Sequence, residues 1–270
     1  MNIEVNMKSI DANEGETILA ACRRAGIGIP TLCYLEGLPP SGACRMCIVE
    51  VEGMPGLIPA CSYPVANGMK VKTHSAKVLG ARRTIVELLL SNHPDDCLYC
   101  VRSGKCDLQK LAEELGIRQR HYQGEKTRRE KDVSSPSITR DGDKCVLCGK
   151  CIRVCEEIQG VSAIDFVNRG AKTTVGTAFN TGLNVSSCVN CGQCILVCPT
   201  GALSEHSYVD EVLLALTDPA KTVVVQHAPS VSVTLAEEFG QKPGKDVDGK
   251  MVAALRRIGF ARVFDTSFTA

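Results

Sequence analysis

The sequence predicts an α+β, multi-domain protein, built from several small domains and not around one large core. Three observations lead there. All sixteen cysteines of the 270 residues lie between Cys22 and Cys198, in packets that each have their own loops. Short segments of strand-like alternation are interleaved with short stretches of helical periodicity. From Lys221 the texture changes to a cysteine-free, βαβ-like pattern. Modules of this size are too small to rely on an apolar core alone, so their stability must come in part from what the cysteines hold.

Residues 1–10 alternate apolar and polar, with Ile3, Val5 and Met7 on one face, and read as a strand. Asp11 to Gly15 turns into a helix near Thr17 to Ala25, which Gly26 ends. Ile48 to Val51 and Met69 to Lys72 read as further strands, so the first module is a small mixed sheet crossed by one helix, a β-grasp-like pattern. Residues 76–91 set Val78, Leu79, Ile85, Val86, Leu88, Leu89 and Leu90 on helical spacing, and 107–115 form a second short helix. Arg118 to Lys131 is rich in Arg, Lys, Gln and Glu, and Pro136 stands among serines, so this stretch reads as a solvated linker. Lys126, Arg128, Arg129 and Lys131 within it could also meet an acidic partner. An internal repeat, Cys-x2-Cys-x2-Cys-x3-Cys, begins at Cys145 and again at Cys188. The tail reads as a strand at Val223 to Val225, helices near Ser232 to Phe239 and Lys250 to Ile258, and a strand at Arg262 to Phe264.

Composition excludes some functions. With 31 basic and 30 acidic groups the net charge is +1, which favours neither nucleic acid nor an anionic membrane surface. The N-terminus lacks the order of a signal peptide, and no apolar run approaches the roughly 18 residues of a membrane span, so the expectation is a cytoplasmic protein with neither nucleic acid nor membrane as partner. Structural disulfides are rare in that compartment, which leaves metal ligation as the common use of so many thiols.

The cysteine packets have distinct spacings. Cys33, Cys44, Cys47 and Cys61 are separated by 10, 2 and 13 residues in CYLEGLPPSGACRMC and beyond. The two-residue gap would let one loop present Cys44 and Cys47 to a single iron while the distant pair holds another, and small Gly42 and Ala43 would let backbone amides approach. His93, Cys97, Cys100 and Cys106 are separated by 3, 2 and 5 residues in HPDDCLYCVRSGKC. Zinc is the alternative ligand for such sets, although zinc ribbons favour two closely spaced pairs. A zinc-stabilised scaffold contacting nucleic acid through the basic linker would be the corresponding function. Cys22, among Ile18, Leu19 and Ala21, reads as a buried small hydrophobe, and His74, His121, His206 and His227 have no cysteine company.

CVLCGKCIRVC and CVNCGQCILVCP together resemble the two-cluster bacterial ferredoxins, in which the fourth cysteine of each run ligates the other cluster. That resemblance implies 4Fe-4S sites at Cys145, Cys148, Cys151 and Cys198, and at Cys188, Cys191, Cys194 and Cys155. Pro199 matches the motif's proline, and Glu156 replaces it in the first run. The first packet is similar to the 2Fe-2S domain of the complex I large iron–sulfur subunit and departs from the plant ferredoxin spacing. The second resembles the 4Fe-4S motif of the same subunit, ligated by one histidine and three cysteines. The resemblances imply one 2Fe-2S and three 4Fe-4S clusters.

The implied organisation is a β-grasp 2Fe-2S domain at 1–77, a histidine-ligated 4Fe-4S domain at 78–120, and a linker at 121–143. A two-cluster ferredoxin domain at 144–210 and a truncated α/β region at 211–270 complete it. VVVQHAPSVSVTLAEEFG and GKMVAALRRIGFARVFDTSF resemble the opening of the catalytic domain of iron-only (FeFe) hydrogenases. That family binds its active-site cluster through four further cysteines, and none follows Cys198 in this sequence.

The sequence contains neither G-x-G-x-x-G nor G-x-x-x-x-G-K-[ST], so flavin and nicotinamide chemistry is expected on another subunit. No catalytic residue set is evident. The resulting expectation is an electron-relay subunit in an NAD(P)H/ferredoxin oxidoreductase complex of the electron-bifurcating kind. Its partners would be a flavin- and NAD(P)-binding subunit, further iron–sulfur subunits and ferredoxin. The alternative is the N-terminal part of a hydrogenase subunit.

Overall fold

The computed structural model describes residues 1–124 and 126–269. The chain divides into two compact units, Met1–His206 and Ser207–Ala270.

In the first unit, β1 (Asn2–Val5) and β2 (Lys8–Asp11) form an antiparallel hairpin, followed by α1 (Ile18–Arg24). The expected single strand therefore breaks at Asn6 and Met7, both at positive φ, as a tight primed turn requires. Met7, expected on the inner face with Ile3 and Val5, is 91% exposed at the turn. With β3 (Ile48–Val51), β4 (Leu57–Pro59) and β5 (Lys70–Lys72) the sheet has the order β2-β1-β5-β3-β4. Only β1 and β5 pair in parallel. Thr17 caps α1 by accepting the Ala20 amide at 3.2 Å, which satisfies one of the free donors of the first turn. The helix then lays Ile18, Leu19, Ala21 and Cys22 against Ile3, Val5, Val49 and Val71. Cys22 is fully buried, as its apolar neighbours predict, and burial pushes its thiol up to about 11.

Ser75 caps α2 (Ala76–Asn92), which packs on β3 and on α3 (Asp107–Glu114) through Leu32, Met46, Val86, Leu108 and Leu111. The ferredoxin-like repeat is framed by β6 (Lys131–Asp132) and β7 (Ile138–Asp141). Next come α4 (Lys150–Arg153), the hairpin β8 (Asp165–Val167) and β9 (Thr174–Gly176), α5 (Gln193–Val197) and β10 (Leu203–Glu205). β7 sits between β6 and β10, antiparallel to both, with Ile138, Thr139 and Arg140 buried. Residues 131–132 and 138–141 are thus strands, where the composition suggested linker. Their partner strand, β10, is distant in sequence, so no local signal revealed the pairing.

The second unit contains α6 (Val209–Thr217), β11 (Val224–His227), α7 (Pro229–Glu238), α8 (Asp248–Ile258), β12 (Arg262–Asp265) and α9 (Thr266–Thr269). β11 and β12 are parallel and joined through α7 and α8, the expected βαβ-like arrangement. Pro229 opens α7, where its missing amide hydrogen costs nothing. Among the described residues no helix is long and apolar enough to cross a membrane.

Candidate iron–sulfur sites

All sixteen cysteines are free thiols. The first packet lies in the loop between α1 and β3 and just after β4. Cys33, Cys47 and Cys61 are at most 2% exposed, and Cys44 is half-buried. Gly42 and Arg45 take positive φ, which folds the loop back so that amides face sulfur. The Cys44 amide points at the Cys33 sulfur at 3.5 Å, and the Met46 amide at the Cys44 sulfur at 3.4 Å.

Here the thiols pair as Cys33 with Cys44 and Cys47 with Cys61. In each pair one thiol donates to the other: Cys44 holds Cys33 below the ordinary thiol range against the opposing effect of burial, and Cys47 does the same for Cys61. Amides of Ala43 and Cys44 assist at Cys33, and that of Gly42 at Cys61. The donating thiols, Cys44 and Cys47, are raised in turn by these same bonds and by burial, so the loop favours one negative sulfur in each pair, the form that binds metal.

His93 caps the C-terminus of α2 and is 7% exposed. Burial holds its pKa below the usual histidine value, opposed by the Asp96 carboxylate and aided by Arg120 and Lys144, so the imidazole stays neutral and able to ligate. Cys97 opens a single 3-10 turn, Cys100 follows it, and Cys106 is the N-cap of α3. Burial raises the Cys106 thiol, while the amides of Gln109 and Leu108 at the start of α3 oppose it.

This loop lies directly on the repeat. The Asp107 amide donates to the Pro199 carbonyl at 2.9 Å, and Arg102 to the Ile195 carbonyl at 2.6 Å. Lys144 meets Asp96 at 2.8 Å. A β-carbon on Gly201 would stand 2.7 Å from the Cys100 sulfur. On the other side, Cys106 shares an apolar core with Cys44, Met46 and Leu32 of the first packet.

The two repeat runs fold alike. Leu147 and Asn190 have φ of 52° and 55°, Gly149 and Gly192 both have φ of 73°, and α4 or α5 follows directly. Asn190 and the glycines accept that backbone readily, whereas Leu147 is strained there. After α5 the runs differ. Pro199 forces Cys198 into an extended conformation and stops the helix, while Glu156 lets α4 continue through a π-turn, Val154–Ile158, that carries Cys155.

One cavity is lined by Cys145, Cys148, Cys151 and Cys198, and a second by Cys155, Cys188, Cys191 and Cys194. Each cavity collects three thiols from one run and the last from the other. Arg140 and Leu203 line both. Burial, and the crowding of thiols on one another, pushes Cys148 and Cys194 up to about 12 and holds Cys151 well above the ordinary thiol range. Burial disfavours the thiolates in these pockets, so metal binding must release protons. Among the described residues no three His, Cys, Asp or Glu side chains converge closely enough for a single ion. The donor set and its spread fit an iron–sulfur core that separates its ligands.

Sequence reasoning missed Arg82, Lys144 and Gly201. Arg82 had a signal, since a cation stands at four-residue spacing between Val78 and Val86 on an apolar stripe. Lys144 and Gly201 had none, because each acts through a loop remote in sequence.

Residues 1–76 match the family described as a 2Fe-2S iron–sulfur cluster binding domain, and 82–121 the NADH–ubiquinone oxidoreductase-G iron–sulfur binding region. Residues 144–202 match a 4Fe-4S dicluster domain, and 221–270 the C-terminal domain of the iron-only hydrogenase large subunit. The chain is 50% identical, over its whole length, to 47% of the NADP-reducing hydrogenase subunit HndD of Solidesulfovibrio fructosivorans. It is 38% identical to iron hydrogenase 1 of Clostridium pasteurianum, covering 99% of this chain and 47% of that one. A chain in the crystal structure of an NAD+-reducing [NiFe]-hydrogenase in the H2-reduced state superposes with a TM-score of 0.71 at 30% identity, over 76% of this chain and 87% of that one. The chain spans about half the length of both curated relatives.

Proposed function

The chain belongs to the iron-only hydrogenase large-subunit family, with kinship to the iron–sulfur region of NADH–ubiquinone oxidoreductase, and on that premise we propose that it is an electron relay. It would hold a 2Fe-2S cluster on Cys33, Cys44, Cys47 and Cys61, and a 4Fe-4S cluster on His93, Cys97, Cys100 and Cys106. Two more 4Fe-4S clusters would sit on Cys145, Cys148, Cys151 and Cys198, and on Cys188, Cys191, Cys194 and Cys155. The observation that carries the reading is the pair of cavities in which the two runs exchange their last cysteines.

Clusters of these types, when bound, exchange single electrons. The protein's own residues ligate them, exclude water and aim amides at sulfur, which favours the more negative reduced state. The ligand loops are contiguous: Cys44 and Cys106 share one core, and Cys100 abuts Gly201, close after Cys198. That continuity suits transfer through the chain. The donor and acceptor would be a flavin- and NAD(P)-binding subunit and ferredoxin, within an electron-bifurcating NAD(P)H/ferredoxin complex. Its soluble setting would be the cytoplasm.

A second reading is supported by the match of residues 221–270 to the hydrogenase C-terminal domain. In it, the same relay serves a hydrogen-activating site in its own polypeptide. The anaerobically purified native complex discriminates. NAD(P)H-to-ferredoxin transfer without hydrogen turnover supports the first reading, and hydrogen turnover dependent on this polypeptide supports the second. Absence of both, with the clusters loaded, overturns the relay.

A further inference from the structure

Arg82 is 1% exposed in the middle of α2, on the stripe it shares with Val78 and Val86. One nitrogen of its guanidinium donates to the Ile48 carbonyl at 2.8 Å, and its Nε has no partner. Among the described residues no carboxylate forms an ion pair with it, whereas Arg140, the other buried arginine, has Asp132 at 3.3 Å. The acid buried on the same helix, Glu87, is taken by His121 at 3.0 Å. A buried guanidinium without an anion is strongly disfavoured, and it cannot shed its proton as a lysine can. The bond to Ile48 places it beside Cys47, the preceding residue, which is 2% exposed. Burial pulls the Arg82 pKa down, and the Cys47 sulfur is the group that opposes this.

We propose that Arg82 is a positioning residue for the 2Fe-2S site, its buried charge balanced by the thiolates of Cys33, Cys44, Cys47 and Cys61 once they hold iron. The proposal rests on the assignment of that cluster. Reduction adds one electron and no proton to a site next to a fixed cation. Arg82 therefore favours the reduced form and raises the reduction potential.

The test uses the full chain, anaerobically loaded, as wild type, Arg82→Lys and Arg82→Met, with EPR-monitored redox titration. Arg82→Met is expected to weaken the reduction equilibrium about tenfold, a fall of about 59 mV for one electron. Arg82→Lys, whose ammonium the loaded thiolates hold charged, should stay nearer wild type than Arg82→Met. A loaded Arg82→Met chain with an unchanged potential would overturn the role of Arg82 alone. Lack of any 2Fe-2S signal in wild type would overturn the cluster assignment and this role with it. Should Arg82→Met fail to take up iron, melting of the iron-free chains decides: a higher melting temperature than iron-free wild type supports a charge that needs the cluster, and a lower one marks mere packing and overturns the proposal.

Discussion

Gly201→Ala tests whether the histidine-containing loop and the repeat are in contact as described. Gly201 is buried and its φ lies outside the left-handed region, so its backbone would accept alanine, and the whole effect reports on what the new methyl meets. That methyl would stand 2.7 Å from the Cys100 sulfur, where ordinary contact begins at 3.4 Å, with the Lys144 side chain also at 3.5 Å. Cys100 is boxed in: Asp107 is tied to Pro199 and Arg102 to Ile195, so the loop cannot simply withdraw. Overpacking of this kind costs about 1–3 kcal/mol, and a middle value of about 2 kcal/mol corresponds to roughly thirtyfold weaker retention of whatever Cys100 helps to hold. The assay is iron loss to a graded chelator, followed by iron counting and EPR. The expected outcome is selective loss of about four irons from the site at His93, Cys97, Cys100 and Cys106, with the other signals intact. Wild-type chelator resistance and spectra in Gly201→Ala would refute the contact between the two loops.

Three further outcomes follow from the same structure. Gly80→Ala, in the exposed interior of α2 with nothing within 4 Å of the added carbon, should stabilise the first unit by about 0.5–1 kcal/mol in denaturant melts. His93→Cys replaces a neutral ligand by a charged one and should keep the cluster but lower its potential in a redox titration. The side-chain bond from Arg24 holds Glu16 below its ordinary pKa, so that contact stabilises the fold above the unfolded-state value and is lost as pH falls through the folded one. Acid titration of Glu16→Gln should therefore lack the part of the acid destabilisation that falls in this window.

Legibility followed sequence distance. The resemblance to two-cluster ferredoxins implied the grouping of the repeat cysteines; both runs carry the same left-handed turn before a helix, and the proline after Cys198 but not after Cys155 explains why the two fourth cysteines are presented differently. Helices α2, α7 and α8 were readable from their periodicity, whereas α6, Val209–Thr217, was not read. The hairpin at Asn6 and Met7 was missed because the apolar alternation runs straight through a two-residue turn. β7 was missed because Ser-Pro-Ser before it reads as loop, and its burial depends on β10, more than sixty residues away by sequence. Arg82 was visible as a cation on an apolar stripe, but its meaning needed the carbonyl of Ile48 and the neighbouring Cys47.

The measurement that bears most directly on the relay is iron counting with EPR on the anaerobically purified chain during stepwise reduction. Four filled sites predict about 14 irons and separable signals from one 2Fe-2S and three 4Fe-4S clusters. Colourless protein carrying zinc at its four-cysteine sites would contradict the account.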